Sequence, residues 1–256
     1  MTVVTKSVTP LADGEPKQDA RRRILAVARE LVARKGPHAT TVRDITDATG
    51  MNVASVNYYF RSKRALIEEV LISIFAPVNS ARVDLLLEAE SRHAPHPVPV
   101  VDILHALVRP LIDAVPGFNG GSLYLRALQH LRTPPGEEAN IFVFSTFDPV
   151  AQHFIAALHR TLPHLTRTEI AWRYELARGG ANHVLSNCEP LSTKMHHLTR
   201  ESGLLDPAQT DKVLAEVIAF AAAGFAAPPQ MCQDDLVTAP AFPPTERRVA
   251  RPLPER

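Results

Sequence analysis

The helix start and stop signals between positions 36 and 62 constrain this chain more than any other feature of its sequence. Gly36 and Pro37 end one helical pattern, and Gly50 can end another in the left-handed conformation. Ser62 can cap a further helix. Helices of the length that these signals allow are marginal in isolation. We therefore expect two short helices that are held in place by longer neighbours.

A long amphipathic helix is predicted before these signals, from Lys17 to Lys35. Its apolar residues recur at three- and four-residue spacing with charged residues between them: Ile24, Val27, Ala28, Leu31 and Val32. Residues 1–16 contain Pro10, Gly14 and Pro16 without any periodicity, which predicts a flexible N-terminal arm.

The two short helices carry clear capping signals. Thr41 and Asp44 match a capping box, so a helix is expected from there to about Thr49. Gly50-Met51-Asn52 forms a tight turn in which the asparagine caps the next helix, Val53 to about Phe60. This pattern is typical of a helix-turn-helix, which presents its second helix to the major groove of DNA. A plain helical hairpin has the same pattern and stays open as an alternative.

The helix from Val53 to Phe60 should have an inner and an outer face. We expect Val56 and Phe60 to pack against the first helix, and we expect Tyr58 in the core rather than in a contact. The expected outer residues are mostly small and permit close approach to a partner: Val53, Ala54, Ser55 and Asn57.

The rest of the chain also shows helical periodicity. A fourth helix should begin at Lys63 and be kinked or interrupted at Pro77, with its second half at 80–91. Further helices are predicted at about 100–114, 120–132, 140–161, 167–187 and 208–226, with a shorter piece near 193–200. Period-two alternation is absent from the sequence, so we predict an all-α fold. Prolines between positions 228 and 256 predict a disordered tail.

Charge is unevenly distributed along the chain. Residues 17–75 contain 11 Lys and Arg against 6 Asp and Glu, a balance of +5, whereas the whole chain has a net charge of +1. The N-terminal part therefore suits a polyanionic partner.

The compartment is inferred from cysteines and hydropathy. Cys188 and Cys232 are the two cysteines, so a disulfide framework is not expected and a reducing compartment is favoured. The N-terminus lacks the pattern of a signal peptide, and an uninterrupted apolar run of membrane-spanning length is missing. These features predict a cytoplasmic protein without a membrane span.

Catalytic and metal-binding motifs are not found in the sequence. A phosphate-binding glycine loop, a nucleophile elbow and an HExxH motif are missing, so we predict no enzyme activity, catalytic residue or cofactor. His93 and His96 lie in a proline-rich loop, and the adjacent His196 and His197 cannot both point one way on a helix. Neither pair predicts a metal site.

The segment TTVRDITDATGMNVASVNYYFRSKRALI, positions 40–67, resembles the DNA-binding signature of the TetR family of regulators. The resemblance covers about Lys17 to Val70. It implies an N-terminal three-helix DNA-binding domain and a larger helical domain for ligand sensing and dimerisation. The implied function is a repressor that a small molecule releases from a palindromic operator. The corresponding domains are 1–16 for the arm, 17–75 for DNA binding, 76–227 for sensing and dimerisation, and 228–256 for the tail.

The resemblance also implies DNA contacts at matching positions: Thr41, Arg43, Val53, Ala54, Ser55, Asn57, Tyr59 and Lys63. Arg43 could pair with a guanine edge, and Tyr59 and Lys63 could hold phosphates. Thr41 could contribute its hydroxyl and the helix-start N–H groups to a phosphate. Asn57 stands where many members of the family have Tyr, so sequence preference does not carry over. Residues 21–23, all Arg, are more typical of a solvated helix face.

In the family, the last two long helices form the dimer interface. Here they correspond to Glu169–Asn187 and Pro207–Ala226, and a two-fold dimer would place its recognition helices about 34 Å apart on a palindromic site. The same apolar stripe could instead pack within one chain.

The effector pocket is expected inside the larger domain. The candidate lining residues are Phe75, Arg82, His105, Arg109, Tyr124, His130, Phe144, Phe147 and Phe154. Most of these side chains would serve equally well as ordinary core. His105 and Arg109 could neutralise an acidic ligand, although a surface ion pair suits Arg109 better.

Two other functions stay open from the sequence. The chain could be a DNA-binding regulator that responds to a protein partner and has no small-molecule ligand. It could also be a helical enzyme or scaffold whose N-terminal resemblance is incidental.

Overall fold

The computed structural model describes residues 17–114, 122–131, 137–188, 192, 194–201 and 209–229, without the side chains of residues 17 and 137–145. These residues form α-helices, and no strand occurs among them. The helices are α1 (Lys17–Lys35), α2 (Val42–Thr49), α3 (Val53–Phe60), α4 (Lys63–His93), α5 (Val100–Asp113), α6 (Leu123–Leu131), α7 (Glu137–Thr161), α8 (Arg167–Cys188), α9 (Lys194–Thr199) and α10 (Thr210–Ala226). The predicted all-α fold is confirmed. The predicted arm and most of the predicted tail lie outside the described residues.

The short helices begin and end where their capping signals predict. Thr41 and Asp44 form a reciprocal capping box at α2, and Gly50 ends that helix with φ of 69°. Asn52 then accepts a hydrogen bond from the Ser55 amide at 2.8 Å, and Ser62 accepts one from Ala65 at 3.1 Å. Local chemistry therefore determines the lengths of α2 and α3.

The helix α4 is continuous through Pro77, so of the two predicted alternatives, a kink or an interruption, the interruption is wrong. Pro77 is exposed, and water can replace the amide that the ring lacks. By length and composition alone, α4 is apolar enough to cross a membrane, and 44% of its most apolar stretch is buried. Its buried side chains pack against α1, α5, α6 and α7.

One continuous apolar core joins the N-terminal helices to the rest of the chain. The helix α1 packs against α2 and α4 and also against α6. At the far side, α10 packs against α5 and α8. Arg173 of α8 donates to the carbonyls of Phe225 and Ala227 at 2.8 and 2.7 Å, which satisfies acceptors at the end of α10.

Candidate nucleic-acid interface and interior cavity

The helix α3 is anchored on one side and open on the other. Val56 and Phe60 are 2% and 4% exposed, and both belong to the core. Val53 is 50% exposed, Ala54 and Asn57 are exposed, and Ser55 is half-buried. The predicted inner and outer faces are therefore confirmed. With only Val56 and Phe60 fully buried, α3 leaves most of its surface open to solvent.

Tyr58 is exposed, so its expected place in the core is wrong. Its exposed fraction is 66%, while Tyr59 is half-buried and meets Tyr58 edge to face at 5.2 Å. Successive helical residues turn by about 100°, so Tyr58 lies two residues from both anchors and opposite to them. The exposure of Tyr58 could therefore have been predicted from the sequence, once Val56 and Phe60 were assigned to the buried face. Tyr58 thus adds a phenol to the open face of α3.

Arginines of α1 hold the short helices in position. The Arg21 guanidinium lies 5.1 Å from the centre of the Phe60 ring and pairs with Glu69 of α4 at 2.5 Å. Arg23 donates to the Thr49 carbonyl at 2.7 Å, at the end of α2. These side chains are exposed, as expected, but they also connect α1 to α2, α3 and α4.

At the start of α2, a carboxylate gathers the local donors. The Thr41 amide and hydroxyl donate to Asp44 Oδ2 at 2.7 and 2.6 Å, and Lys35 Nζ lies 2.6 Å from the same oxygen. The hydrogen bond from Lys35, followed by those from Thr41, holds the pKa of the Asp44 carboxyl well below its usual range. The Thr41 hydroxyl proton and amide are therefore already used within the protein.

Arg43 and Lys63 are placed differently from each other. The Arg43 side chain is 89% exposed, and its closest acid, Asp47, is 3.9 Å away. Lys63 is half-buried and donates to the His38 carbonyl at 3.1 Å, so its ammonium is held at the start of α4. An extended guanidinium suits a reach into a groove, and a fixed ammonium suits a phosphate.

A cavity of about 360 Å³ lies inside the larger domain, between α4, α6, α7 and α8. Its polar lining includes Asn79, Arg82, Tyr174 and Asn182, and its apolar lining includes Leu128 and Phe147. A wider groove of about 740 Å³ between α4 and α5 contains none of the candidate ligand residues. The smaller cavity is less open to solvent than the groove and contains candidate residues, so it is the better match to a ligand site.

Some of the candidate ligand residues gather at this cavity. Arg82 and Phe147 line it. Phe75 packs behind them, with its ring 5.0 Å from Tyr124 and 5.2 Å from Phe147. Phe154 is buried against the lining residue Tyr174, at 6.3 Å between ring centres.

Other candidates lie elsewhere, which corrects their assignment to the pocket. His105 is exposed, and Arg109 pairs with Asp113 at 2.8 Å and Asp211 at 3.0 Å. The two residues are four apart and share the polar side of α5, away from its core face. His130 packs against the end of α1, and Phe144 lies outside the described side chains.

The buried polar cavity residues that the sequence analysis missed are on α4 and α8, and apolar ones such as Leu128 and Val150 are on α6 and α7. Asn79, Tyr174 and Asn182 line the cavity and are buried. Asn79 precedes Arg82 by about one helical turn, on a face of α4 whose other buried residues are apolar, and two polar residues on such a face are a detectable signal. The helix α8 was assigned to the dimer interface alone, so its inner face was overlooked.

Two family models match separate parts of the chain. Residues 24–70 match the family described as "Bacterial regulatory proteins, tetR family", and residues 105–224 match "Tetracyclin repressor-like, C-terminal domain". The first match covers the helices from α1 into α4, and the second runs from α5 into α10.

The chain belongs to the TetR family.

Sequence relatives of this TetR-family chain match at the N-terminal end. It is 40% identical over 62 residues to the HTH-type transcriptional repressor KstR2 of Rhodococcus jostii, covering 24% of this chain and 30% of the relative. The KstR2 of Mycolicibacterium smegmatis is 43% identical over 63 residues, covering 24% and 31%. The chain thus matches less than a third of the length of these relatives.

Solved structures share the fold over a longer stretch. A TetR-family transcriptional regulator from Agrobacterium tumefaciens has a TM-score of 0.50 at 18% identity, over 78% of this chain and 98% of that one. A regulatory protein of the tetR family from Rhodococcus RHA1 has a TM-score of 0.52 at 19% identity, over 80% and 96%. At these identities the likeness shows the TetR fold and nothing finer.

One further surface of the TetR-family chain stands out. Trp172 and Leu176 of α8 are 67% and 71% exposed, and Phe220 of α10 is 86% exposed. A Cβ atom added at Gly180 or Gly224 would meet nothing within 4 Å. Large apolar side chains with open glycines nearby leave room for a closely packed partner.

Proposed function

We propose that the protein is a dimeric transcriptional repressor that binds duplex DNA through α3 and is released by a small molecule. The observation that carries the proposal is the outward face of α3, with Val53, Asn57 and Tyr58 exposed on a helix anchored by Val56 and Phe60. A braced, capped helix with small residues in its first turn has the shape that enters a major groove. The basic balance of residues 17–75 supports a polyanionic partner.

The proposed contacts divide into two kinds. Arg43, with Val53, Ala54, Ser55 and Asn57, would read base edges from α2 and α3. Tyr59 and Lys63 would hold phosphates, and exposed Tyr58 is an additional candidate of that kind. Thr41 would contribute less than its position implies, because Asp44 already accepts from its hydroxyl and amide.

The DNA contacts are tested with duplexes selected from a random pool. Lys63→Ala should weaken binding to all duplexes similarly and reduce the slope of log affinity against log salt by about 1. Arg43→Ala should instead relax the preference at one base pair, with a loss of about 1–3 kcal/mol for the selected base. Fluorescence anisotropy over a salt series measures both effects.

The exposed residue Glu88 of α4 offers a control far from α3 along the chain, and Glu88→Gln should leave the salt slope unchanged. The contact assignments are wrong if Arg43→Ala and Lys63→Ala have equal effects on every sequence. DNA binding itself is wrong if the full chain ignores duplexes at low ionic strength.

We further propose that α8 and α10 form a two-fold dimer interface. Trp172, Leu176 and Phe220 supply exposed apolar surface on the two helices, and open positions at Gly180 and Gly224 permit a close approach. The dimer would present two α3 helices to successive major-groove faces of a palindromic operator, about 34 Å apart.

Release by a ligand would act through α6. Leu128 and Leu131 of α6 line the cavity, and His130 of the same helix packs on Gly36 at the end of α1. A ligand that favours a different position of α6 would therefore bias the position of the DNA-binding helices. Linkage then requires that DNA weaken ligand binding by the same factor. The cytoplasm is the compartment in which such a repressor would meet its operator.

A further inference from the structure

Arg82 is a buried cation without an acidic partner among the described residues. It is 2% exposed, and no carboxylate oxygen of those residues lies within 4.0 Å of its guanidinium. Its Nε donates to the Leu107 carbonyl at 2.8 Å and its Nη1 to the Tyr124 hydroxyl at 2.9 Å, while Nη2 has no partner there. A buried charge without a counter-ion is costly. An anion that binds beside Arg82 would remove that cost.

We propose that the cavity binds a small organic acid, with its carboxylate paired to Arg82 and its apolar body against α6 and α7. This inference rests on the proposed function, because it names the ligand class of the same cavity. Arg82 lines the cavity, as do Leu128, Phe147 and Val150. A guanidinium beside apolar walls matches a ligand with a charged head and a hydrophobic body.

Asn182 supplies a second polar group for the same head. It is 3% exposed, lines the cavity, and its Oδ1 has no partner among the described residues. The two ends of a side-chain amide are interchangeable by a flip. After a flip that exchanges Oδ1 and Nδ2, the amide of Asn182 would donate hydrogen bonds from Nδ2 to a carboxylate. Arg82 of α4 and Asn182 of α8 would then both donate to the same ligand group.

The other charged side chains that line the cavity among the described residues are either paired with each other or exposed. Arg82 is therefore the buried charge of this lining that has no counter-ion. Arg178 is paired with Glu175 at 2.5 Å, and Asp148 is exposed. Burial raises the pKa of Tyr174 to about 12, although the nearby charge of Arg82 acts in the opposite direction. The phenol of Tyr174 is therefore neutral at physiological pH. Tyr174 can therefore act as a further neutral donor, while the buried charge of the lining is positive.

The volume sets the size of the acid. A cavity of about 360 Å³ has the volume of about twelve water molecules, at about 30 Å³ for each molecule in the liquid, which leaves room for a small organic acid. 4-Phenylbutanoate is such an acid, and octanoate is slightly smaller. Their primary amides have nearly the same shape without the charge.

The experiment compares these acids with their amides on the full chain. Isothermal titration should show 4-phenylbutanoate binding about ten- to hundredfold more tightly than 4-phenylbutanamide, the gain expected for a charge-assisted pair. Arg82→Gln should abolish that preference. Arg109→Gln, which removes an arginine paired at the surface, should retain it. Equal binding of acid and amide, or a preference that survives Arg82→Gln, overturns the inference.

A second variant keeps Arg82 and its bonds to α5 and α6. Asn182→Asp places a permanent carboxylate in the cavity, so it should weaken 4-phenylbutanoate about tenfold or more and leave the amide unchanged. This variant decides the question if Arg82→Gln does not fold, because an unchanged affinity for the acid would overturn the inference. A role of Arg82 as a mere brace between helices would not produce this charge selectivity.

The ligand class and the release of DNA are read out separately. Selective binding of the acids, with loss in the cavity variants, supports the inference whether or not duplex is released. Duplex release by 4-phenylbutanoate is followed by anisotropy, and its failure counts against the proposed release mechanism alone. Failure of both the acids and the amides to bind overturns the ligand class while DNA binding stands.

Discussion

Single side chains at the start of α2 and on α3 differ in how much of their polar surface is open to solvent. Tyr58 leaves most of its ring in solvent, and Tyr59 beside it is half-buried, although the two are identical in type. Asp44 accepts hydrogen bonds from the amide and the hydroxyl of Thr41, so these donors are already used within the protein. The phenol of Tyr58 is thus more accessible to DNA than the hydroxyl of Thr41.

Asp44 should make stability depend on acid pH. Lys35 first, and then Thr41, lower the pKa of Asp44 in the folded state below the ordinary value of 3.8. Its stabilising effect is therefore complete above that ordinary value and decreases as the pH falls below it. Asp44→Asn should lower Tm at pH 7 and lower it less at pH 3, as measured by circular dichroism.

Asp47 provides the matched control on the same helix. It is exposed and lies 3.9 Å from Arg43, outside the capping box. Asp47→Asn should change Tm little, and by the same amount, at both pH values. An Asp44→Asn effect that is equal at pH 7 and pH 3 would contradict the role given to the carboxylate.

Two helices, α1 and α6, connect the DNA-binding end to the body of the protein. Gly36 ends α1 with φ of 86°, and a Cβ atom there would lie 3.0 Å from His130 Nδ1 of α6. Gly50 ends α2 with φ of 69°, and a Cβ atom there would meet nothing within 4 Å. Both glycines adopt a positive φ, which L residues rarely do. Only Gly36 of this pair also lies close to a side chain of another helix, His130 of α6.

Comparing alanine substitutions at the two glycines distinguishes the cost of backbone strain from the cost of a clash between helices. Gly36→Ala and Gly50→Ala should both lose about 1–2 kcal/mol in the free energy of unfolding, because L residues are strained at these φ values. Gly36→Ala should lose about 1 kcal/mol more through its clash with α6. Urea denaturation measures both losses.

A His130→Ala background supplies the control for Gly36. It removes the clashing ring, so the extra loss should disappear there, and a double-mutant cycle measures the coupling. An extra loss that persists without the His130 ring would show that the α1–α6 contact has been misassigned.

In the whole molecule, two surfaces are proposed to bind a partner, and they come from separate parts of the chain. The residues proposed to contact DNA are mostly on α2 and α3, and the exposed apolar side chains Trp172, Leu176 and Phe220 are on α8 and α10. Between them lies the cavity, lined from α4, α6, α7 and α8. The proposed binding to a palindrome would require both surfaces, because each subunit of the proposed dimer would supply one recognition helix.

Phe220→Glu should dissociate the dimer. A charge within the proposed apolar interface should raise the dimer dissociation constant at least about thirtyfold, and binding to the proposed palindrome should weaken with it. Sedimentation equilibrium measures the first effect and anisotropy the second.

Leu87→Glu is the control for Phe220→Glu. It introduces the same charge on α4 at a residue that is 49% exposed, and it should leave the dimer intact. If Phe220→Glu leaves the association state of the full chain unchanged, α8 and α10 are not the interface.

Much of the fold was predictable because its signals are local. Caps at Thr41, Asn52 and Ser62 act within four residues, so helix ends near them follow from short-range hydrogen bonds. The continuity of α4 through Pro77 was not predictable in this way, since it depends on packing along the whole helix and on exposure of the proline.

The amino-acid sequence alone determines the helical class, the turn at Gly50 and the anchored face of α3, because each depends on neighbours within one or two helical turns. The tertiary structure alone decided that Arg82 and Asn182, a hundred positions apart, share one cavity, and that His105 and Arg109 do not reach it. The physical reason is that a cavity is formed by the relative placement of several helices, and helical periodicity specifies a face without specifying what packs against it.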